Sequence, residues 1–411
     1  MNKKNIGTYV WNSIGITLNS IYSIIIIFFL MHYSDNGLEL SGKFSYAFYI
    51  CSLFSTIGNY GGRILQISDY KNKHSTSEYI GLKYFSDLIM IALLTLFVII
   101  NGYSFDKISL ILIIILYRAL EAISDSYYGV MQKNDDLIYV GKSMTIKSIL
   151  SIFLFIILQI IFNNLVVSSL SFLSVFLVVF YAYDKRICRK KCNVDKVEFN
   201  FSTIKMLKEC FLIFIFSFLV LLTSNLVRYF VDLRLTDSDQ GFFSIVILPA
   251  SMLTLLGQFL IQPLLHNFVN LEKDKKYKEF NKKLLKVMVL LFVMGAFLAL
   301  FMYVIGTNIL GIIYNVNLDN YRYISALLVA AGILNGIVAI LSNILTILDK
   351  KKEQLLLFII PIIITIVLFF FIEINLMNMF ILYFMIMLMQ FILFMVYYFI
   401  VIGGKISDDK N

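Results

Sequence analysis

The sequence predicts an all-α integral membrane protein with twelve transmembrane helices, arranged as two lobes of six. Of its 411 residues, 60% are hydrophobic and only 15% are charged, and the mean hydropathy is +0.84. Soluble domains carry about 25% charged residues and less apolar mass. Stretches such as 24–30 and 211–222 are apolar without the alternation that transmembrane β-strands need, so the spans are predicted to be helices.

Twelve stretches reach the length of about 20 mainly apolar residues that a helix needs to cross a membrane. In chain order they are 7–31, 43–67, 84–103, 108–131, 138–162, 165–184, 208–232, 241–268, 284–306, 322–348, 355–373 and 378–402. The longest polar connection, about 185–207, follows the sixth stretch. It divides the chain into two predicted lobes, 1–196 and 197–411.

A repeated tetrapeptide indicates that the two lobes are related. The pattern G-x-F-S opens the second span at 42–45 and the eighth span at 241–244. Since six-helix halves keep the same orientation, the predicted relation is a pseudo-two-fold axis along the membrane normal. A substrate site between two such lobes is expected.

The basic residues predict the orientation of the spans. With the boundaries above, 27 of the 35 Lys and Arg residues fall on the side that holds both termini, and 4 fall on the opposite side. Cytoplasmic loops carry this excess in membrane proteins, so both termini are predicted to be cytoplasmic. The net charge of +9 largely reflects this asymmetry. We interpret the basic loops as resting on anionic lipid, and we predict no nucleic-acid partner.

The fourth span carries the densest group of charges. Its first part, 108–116, is almost entirely apolar, and the same helix then places Arg118, Glu121 and Asp125 on one face, with Gln132 further along it. A charge at the bilayer centre costs about 2.5–3.5 kcal/mol, so this face must meet protein or a wet cavity. Two interpretations follow: a polar translocation path, or a buried Arg118–Glu121 pair that only locks helices together.

Other spans add isolated bases and amides. Lys147 and Arg63 lie in the fifth and second spans, where each could instead extend to the cytoplasmic interface. Arg228 and Asp232 are one turn apart in the seventh span, and a surface pair is the alternative there. Four asparagines at helical spacing within polar stripes are predicted to line a cavity, with interhelical packing as the alternative. They are Asn12, Asn19, Asn225 and Asn335.

The sequence predicts no metal site, no cofactor and no enzymatic activity. The four cysteines form no C-x-x-C pair, and the three histidines are scattered. A Walker A motif is excluded because Asp136 stands where the motif requires its first glycine before 141–143. The largest predicted external loop, near 307–321, contains one acid and neither an acid–base pair nor a nucleophile.

Several motifs occur between the second and tenth spans. They are R-x-x-Q-x-x-D at 63–69, E-Y-I at 78–80, Y-R-A-x-E-A-x-x-D-x-Y-Y-G-x-x-Q at 117–132, Pro249 followed by Q-F-x-x-Q-P-L-L at 258–265, and L-G-x-x-Y at 310–314. With these motifs the chain resembles the Wzx-type repeat-unit flippases of bacterial O-antigen and capsule export. These flippases belong to the multidrug/oligosaccharidyl-lipid/polysaccharide (MOP) superfamily.

The resemblance implies a function and a location. A Wzx-type flippase moves an undecaprenyl-pyrophosphate-linked oligosaccharide from the inner to the outer leaflet of the bacterial cytoplasmic membrane. It works by alternating access, coupled to an ion gradient and without ATP. Membrane lipid, a polysaccharide polymerase and a chain-length regulator are the partners that this resemblance implies.

The chemistry of such a substrate assigns roles to the charged residues. A pyrophosphate needs cationic partners inside the membrane, and arginine suits bidentate contact with phosphate. The predicted substrate-binding residues are Arg118, Lys147, Arg63 and Arg228. The predicted pairing or ion-coupling residues are Glu121, Asp125 and Asp232.

Three alternatives stay open. A drug/cation antiporter of the same superfamily typically uses an acid in the first span, and 7–31 contains none. A flippase for the lipid-linked peptidoglycan precursor has fourteen spans in this superfamily, whereas twelve are predicted here. A membrane polysaccharide polymerase or ligase needs acid–base chemistry on an external loop, which this sequence does not offer.

Overall fold

The computed structural model describes residues 3–69, 71, 73–192 and 201–408, which form helices joined by short connections. No β-strand occurs in this part of the chain, and nine of its helices are long and apolar enough to cross a membrane. The predicted all-α integral membrane class is confirmed. The helices group into two compact units, Met1–Leu221 and Leu222–Asn411. The predicted boundary between 196 and 197 lies outside the described residues, and the pseudo-two-fold axis stays a prediction.

The first unit contains eight helices and the beginning of a ninth. They are α1 (Lys3–Tyr33), α2 (Gly37–Asn59), α3 (Gly62–Ser68), α4 (Thr76–Asn101), α5 (Phe105–Lys133), α6 (Leu137–Phe162), α7 (Leu165–Val179), α8 (Lys185–Cys192) and α9 (Phe201–Arg234). A π-helical turn, Phe180–Asp184, joins α7 to α8. Each of the first six predicted spans coincides with helix in this unit.

The second unit begins within α9. Its further helices are α10 (Asp237–Val246), α11 (Leu248–Ile261), α12 (Leu265–Lys273), α13 (Tyr277–Phe301), α14 (Thr307–Tyr314), α15 (Arg322–Ile347), α16 (Glu353–Phe369) and α17 (Leu376–Asp408). Pro249 lies in the first turn of α11 and Pro263 in the 3₁₀ turn before α12, so the predicted eighth span is a broken helix. The predicted external loop at 307–321 begins with the helix α14.

Two boundaries differ from the predicted spans in a way that affects the site. The predicted second span ends early, because Tyr60 and Gly61 have positive φ angles of 44° and 66°, and the chain restarts as α3. The predicted third span starts later than the helix does. Ser75 caps α4 and forms a capping box with Glu78, which places Lys83 about two turns inside the helix.

Close approach of α1 and α6 holds the first unit together. A Cβ atom on Gly141 would lie 2.4 Å from the backbone of Trp11, and one on Gly15 would lie 2.7 Å from the carbonyl oxygen of Gly141. Backbone contact of this kind is how transmembrane helices pack without a hydrophobic driving force. The two glycines therefore fix the position of α6, which carries Lys147.

An aromatic core lies where α1, α2, α5 and α7 meet. The rings of Tyr22, Phe48, Tyr117, Phe172 and Phe176 contact one another with centroids 4.6 to 5.7 Å apart. The buried hydroxyl groups of Tyr22 and Tyr117 are hydrogen-bonded to each other, so neither is left unsatisfied. Phe176 of this core lines the cavity described below.

The connection between α3 and α4 is organised by Asp69. Its carboxylate accepts hydrogen bonds from the backbone of Lys73 at 3.0 Å and of His74 at 3.1 Å, and from the Tyr79 hydroxyl at 3.1 Å. Partial burial would raise the pKa of Asp69, but these hydrogen bonds and the charge of Lys133 outweigh it and hold the pKa below its usual range.

We therefore expect Asp69→Asn to lower the melting temperature at neutral pH by a few degrees. A carboxyl group with a depressed folded-state pKa stabilises the protein above its unfolded pKa, and this contribution is lost as the pH falls through the folded value. The difference from wild type should accordingly shrink below about pH 4. Thermal unfolding in detergent at a series of pH values measures it. Asp274→Asn is the control, because Asp274 is an exposed loop acid that pairs with Lys276. An equal effect of both variants would contradict the prediction.

Candidate functional site

A polar cavity of about 360 Å³ lies inside the first unit, among α1, α2, α3, α5, α6 and α7. Every lining residue belongs to that unit. The lining residues are Asn19, Ser55, Asn59, Arg63, Arg118, Glu121, Ser124, Asp125, Tyr128, Met144, Lys147 and Phe176. Three of the four predicted substrate-binding bases thus meet in one place, together with two of the three predicted pairing acids.

Arg118 lies between the aromatic core and the cavity. Its guanidinium carbon is 4.4 Å from the centroid of the Phe48 ring. Nη1 donates to Oε2 of Glu121 at 2.5 Å, and Nη2 donates to the Ser52 hydroxyl at 2.8 Å. Glu121 also accepts from the Asn19 amide at 3.4 Å. The Arg118–Glu121 pair therefore exists as the spacing predicts, and it borders the cavity on one side.

Arg63 forms a second pair across the cavity mouth. It donates to Asp125 at 2.7 Å and to the side-chain oxygen of Gln132 at 2.8 Å. The polar face predicted for α5 therefore binds the guanidinium group of α3. Asp125 is shared, because the ammonium group of Lys83 lies 3.5 Å from its other oxygen. Arg63 therefore points into the protein, toward α5.

Lys147 forms the third pair, which is buried. Its ammonium group donates to Asp184 at 2.5 Å, to Ser124 at 2.8 Å and to the Tyr128 hydroxyl at 3.0 Å. Lys147 is 2% exposed and Asp184 is fully buried, so Lys147 does not extend to the interface. The π-helical turn Phe180–Asp184 places the acid within reach of α6; such turns occur frequently at functional sites.

The structure places the remaining predicted site residues elsewhere. Arg228, Asp232, Asn225 and Asn335 belong to the second unit. Arg228 is buried and donates to Ser244 at 3.2 Å, and Asn335 donates to Thr254 at 3.3 Å. In the first unit, Asn12 bonds to the Thr8 carbonyl of its own helix, whereas Asn19 lines the cavity. These residues keep their predicted roles only as proposals.

Sequence reasoning missed three charged residues around this cavity. Asp184 stands at the end of the predicted sixth span, where boundaries are uncertain by a few residues. Lys83 directly precedes the predicted third span, 84–103, and Asp87 lies near the start of that span. Both are buried on α4, 1% and 4% exposed. Their spacing of four residues, which puts them on one helix face, is the signal that could have found them.

The described network carries an excess of positive charge when Asp87 is neutral. Four bases, Arg63, Lys83, Arg118 and Lys147, face three acids, Glu121, Asp125 and Asp184. Their attraction is strong because the walls are protein and the effective dielectric constant is low. An anion in the cavity would balance the excess charge and would compete with the acids for the guanidinium groups.

Comparison with known proteins places this fold among membrane transporters. The inward-facing structure of a multidrug resistance MATE family transporter of the MOP superfamily matches with a TM-score of 0.68 at 12% identity, covering 98% of this chain and 99% of that one. The inward closed structure of the lipid II flippase MurJ matches with a TM-score of 0.65 at 15% identity, covering 96% and 87%. The chain thus shares the fold of these solved transporters.

A curated relative carries a more specific name. The capsular polysaccharide biosynthesis protein CapF of Staphylococcus aureus is 28% identical over 248 residues, 59% of this chain and 60% of that protein. The match therefore spans less than two thirds of the relative's length. No protein-family profile matches the chain. The solved proteins that share its fold include transporters and a flippase.

Proposed function

We propose that this protein is a flippase for an undecaprenyl-pyrophosphate-linked oligosaccharide repeat unit. It moves that lipid from the inner to the outer leaflet of the bacterial cytoplasmic membrane by alternating access, driven by an ion gradient. The observation that carries the proposal is the convergence of Arg63, Arg118 and Lys147, from three different helices, on one cavity. Burying basic side chains inside a membrane is costly, so their convergence from separate helices indicates that they bind an anion.

A pyrophosphate is an anion that fits this site. Its oxygens accept bidentate hydrogen bonds from guanidinium groups, and Arg63 and Arg118 both line the cavity. Neither guanidinium is locked into a fully buried pair, since Glu121 and Asp125 are 26% and 24% exposed. The acids can therefore turn toward cavity water while the substrate takes their place. The isoprenoid tail stays in the lipid, and the sugar crosses through protein.

The comparisons support this substrate class from two directions. The relative from Staphylococcus aureus is named for capsular polysaccharide biosynthesis, and MurJ is described as a flippase for lipid II. We further propose cytoplasmic termini from the distribution of basic residues. A polysaccharide polymerase and a chain-length regulator in the same membrane are the proposed partners, because the product would be their substrate.

A drug/cation antiporter is the second candidate, favoured by the similarity to MATE transporters. The charge of the described cavity argues against it, because a cationic drug would enter a site that already holds an excess of bases. The predicted first span also lacks the acid that such antiporters typically use.

Reconstitution of the purified protein in liposomes tests the two candidates directly. A fluorescent undecaprenyl-pyrophosphate oligosaccharide is incorporated, and its exposure on the outer leaflet is followed with a membrane-impermeant quencher. We expect protein-dependent flipping that is faster with an imposed ion gradient, and no flipping of the same oligosaccharide on an uncharged lipid. Protein-dependent uptake of a cationic dye, with no flipping of the lipid, would instead identify an antiporter.

A further inference from the structure

A buried acid beside the cavity has no partner in the described structure. Asp87 of α4 is 4% exposed, and neither of its carboxylate oxygens has a hydrogen-bond partner among the described residues. One oxygen lies directly against α2, where a Cβ atom on Gly58 would be only 2.3 Å away. An unpaired carboxylate in such surroundings is so costly that the group takes up a proton instead.

The charged groups around Asp87 explain how its proton would affect the cavity. On its own helix Asp87 has Lys83 one turn away and Tyr84 beside it, α2 presents Gly58, and Asp125 of α5 and Arg63 of α3 lie beyond Lys83. The Lys83 ammonium group is directed away from Asp87. It donates to the backbone and side-chain oxygens of Asn59 at 2.8 and 3.2 Å and lies 3.5 Å from Asp125.

We propose that Asp87 is the proton-binding residue of this transporter and that Lys83 relays its charge state to the cavity. With Asp87 neutral, Lys83 shares Asp125 with Arg63, and the network has one base in excess. When Asp87 loses its proton, Lys83 turns to it as a partner one helical turn away, and Asp125 is left to neutralise Arg63. The proton comes from cavity water and returns to it, and no other bond is made or broken.

Proton binding and anion binding are therefore linked. Protonation of Asp87 adds one positive charge to a network that includes two cavity-lining residues, Arg63 and Asp125. Across about 12 Å and at an effective dielectric constant of about 20, one unit of charge changes anion affinity by about tenfold. The link between proton binding and anion binding rests on the proposed function, whereas the proton site itself does not.

Infrared spectroscopy of the purified protein tests the proton site without any substrate. We expect wild type at about pH 6 to show the carbonyl band of a buried neutral carboxylic acid, and Asp87→Asn to lack it. Asp274→Asn is the control and should keep the band, because Asp274 is an exposed loop acid that pairs with Lys276. A band that is unchanged in Asp87→Asn would overturn the inference.

A second variant covers the case in which Asp87→Asn does not fold. Gly58→Ala presses a methyl group onto the carboxyl group of Asp87, so the same band should shift in frequency. In wild type the band should lose intensity as the pH is raised. A band that neither shifts in Gly58→Ala nor titrates in wild type would equally overturn the inference.

Calorimetric titration with inorganic pyrophosphate tests the link to the cavity. We expect wild type and Asp87→Asn to bind pyrophosphate equally at about pH 6, and the variant to bind about tenfold more tightly at about pH 9. Comparing the two proteins at the same pH cancels the effect of pyrophosphate ionisation on the measured affinity. An equal affinity at both pH values would overturn the link. If pyrophosphate binds to neither protein while the infrared result holds, the proton site stands and the proposed anion-binding function fails.

Discussion

Arg118→Ala is expected to abolish lipid flipping while leaving a folded protein in the membrane. The guanidinium offers a bidentate contact to an anion in the cavity, and each hydrogen bond between charged groups contributes about 1.5–3 kcal/mol. Loss of both should slow transport by at least about 100-fold. The Glu121 carboxylate is not stranded, because it retains the Asn19 amide and its side chain is 26% exposed. The expected loss in folding free energy is therefore smaller than the roughly 3–5 kcal/mol of a stranded buried charge.

Two further variants separate a binding role from a structural one. Arg118→Lys keeps the charge and loses the planar fork, so we expect an intermediate transport rate. Arg322→Ala is the matched control, because Arg322 pairs with Asp319 at 2.9 Å with a similar spacing on an exposed surface. It should transport like wild type. If Arg118→Ala fails to accumulate in the membrane and Arg118→Lys restores both level and full transport, the pair only locks helices together.

Surface polysaccharide in cells and flipping in liposomes give two independent readouts for this series. Transport lost in both, at normal protein level in the membrane, would identify Arg118 as a contact of the translocated lipid. Wild-type transport by Arg118→Ala would contradict the proposed role of the cavity.

The sequence predicted the helices of the first unit better than the contacts between them. Arg118, Glu121 and Asp125 share one face because helical spacing alone fixes that relation. The convergence of Arg63 and Lys147 on this face depends on how α3 and α6 pack against α5. Gly129 of α5 lies against the Gln66 side chain of α3, and Gly141 of α6 lies against the backbone of α1; no periodicity encodes these close contacts.

The missed residues share a physical explanation. Hydropathy marks the apolar middle of a span and leaves its ends uncertain, and Lys83 and Asp184 both lie at such ends. Ser75 starts α4 eight residues before the apolar stretch, so Lys83 is helical and buried. The π-helical turn that directs Asp184 toward Lys147 has no sequence signature that we could use. Charge near a predicted boundary therefore needs a structure before it can be assigned to a loop.

Breaking the Lys147–Asp184 pair from one side is expected to have the largest effect on stability. In Lys147→Met, the fully buried Asp184 keeps, among the described residues, only the Tyr128 hydroxyl at 3.5 Å. A buried charge without its partner costs about 3–5 kcal/mol. Asp184→Asn should destabilise the protein similarly, because it strands the ammonium group. Thermal unfolding in detergent measures both. The control pair is Lys43–Glu39, which has the same 2.5 Å separation on a more exposed surface and should cost less than about 1 kcal/mol when broken.

The double variant Lys147→Met, Asp184→Leu then separates stability from function. Replacing both members of a buried ion pair by apolar side chains removes the stranded charge, so most of the lost stability should return. The Tyr128 and Ser143 hydroxyl groups remain hydrogen-bonded to each other at 2.8 Å, which keeps α5 and α6 in register. If Lys147 serves the substrate, this stable protein should still fail to flip the lipid, because the cavity has lost a base. A stable double variant that transports at the wild-type rate would show that the pair only holds helices together. Of the three bases that line the cavity, only Arg63 and Arg118 would then bind the anion.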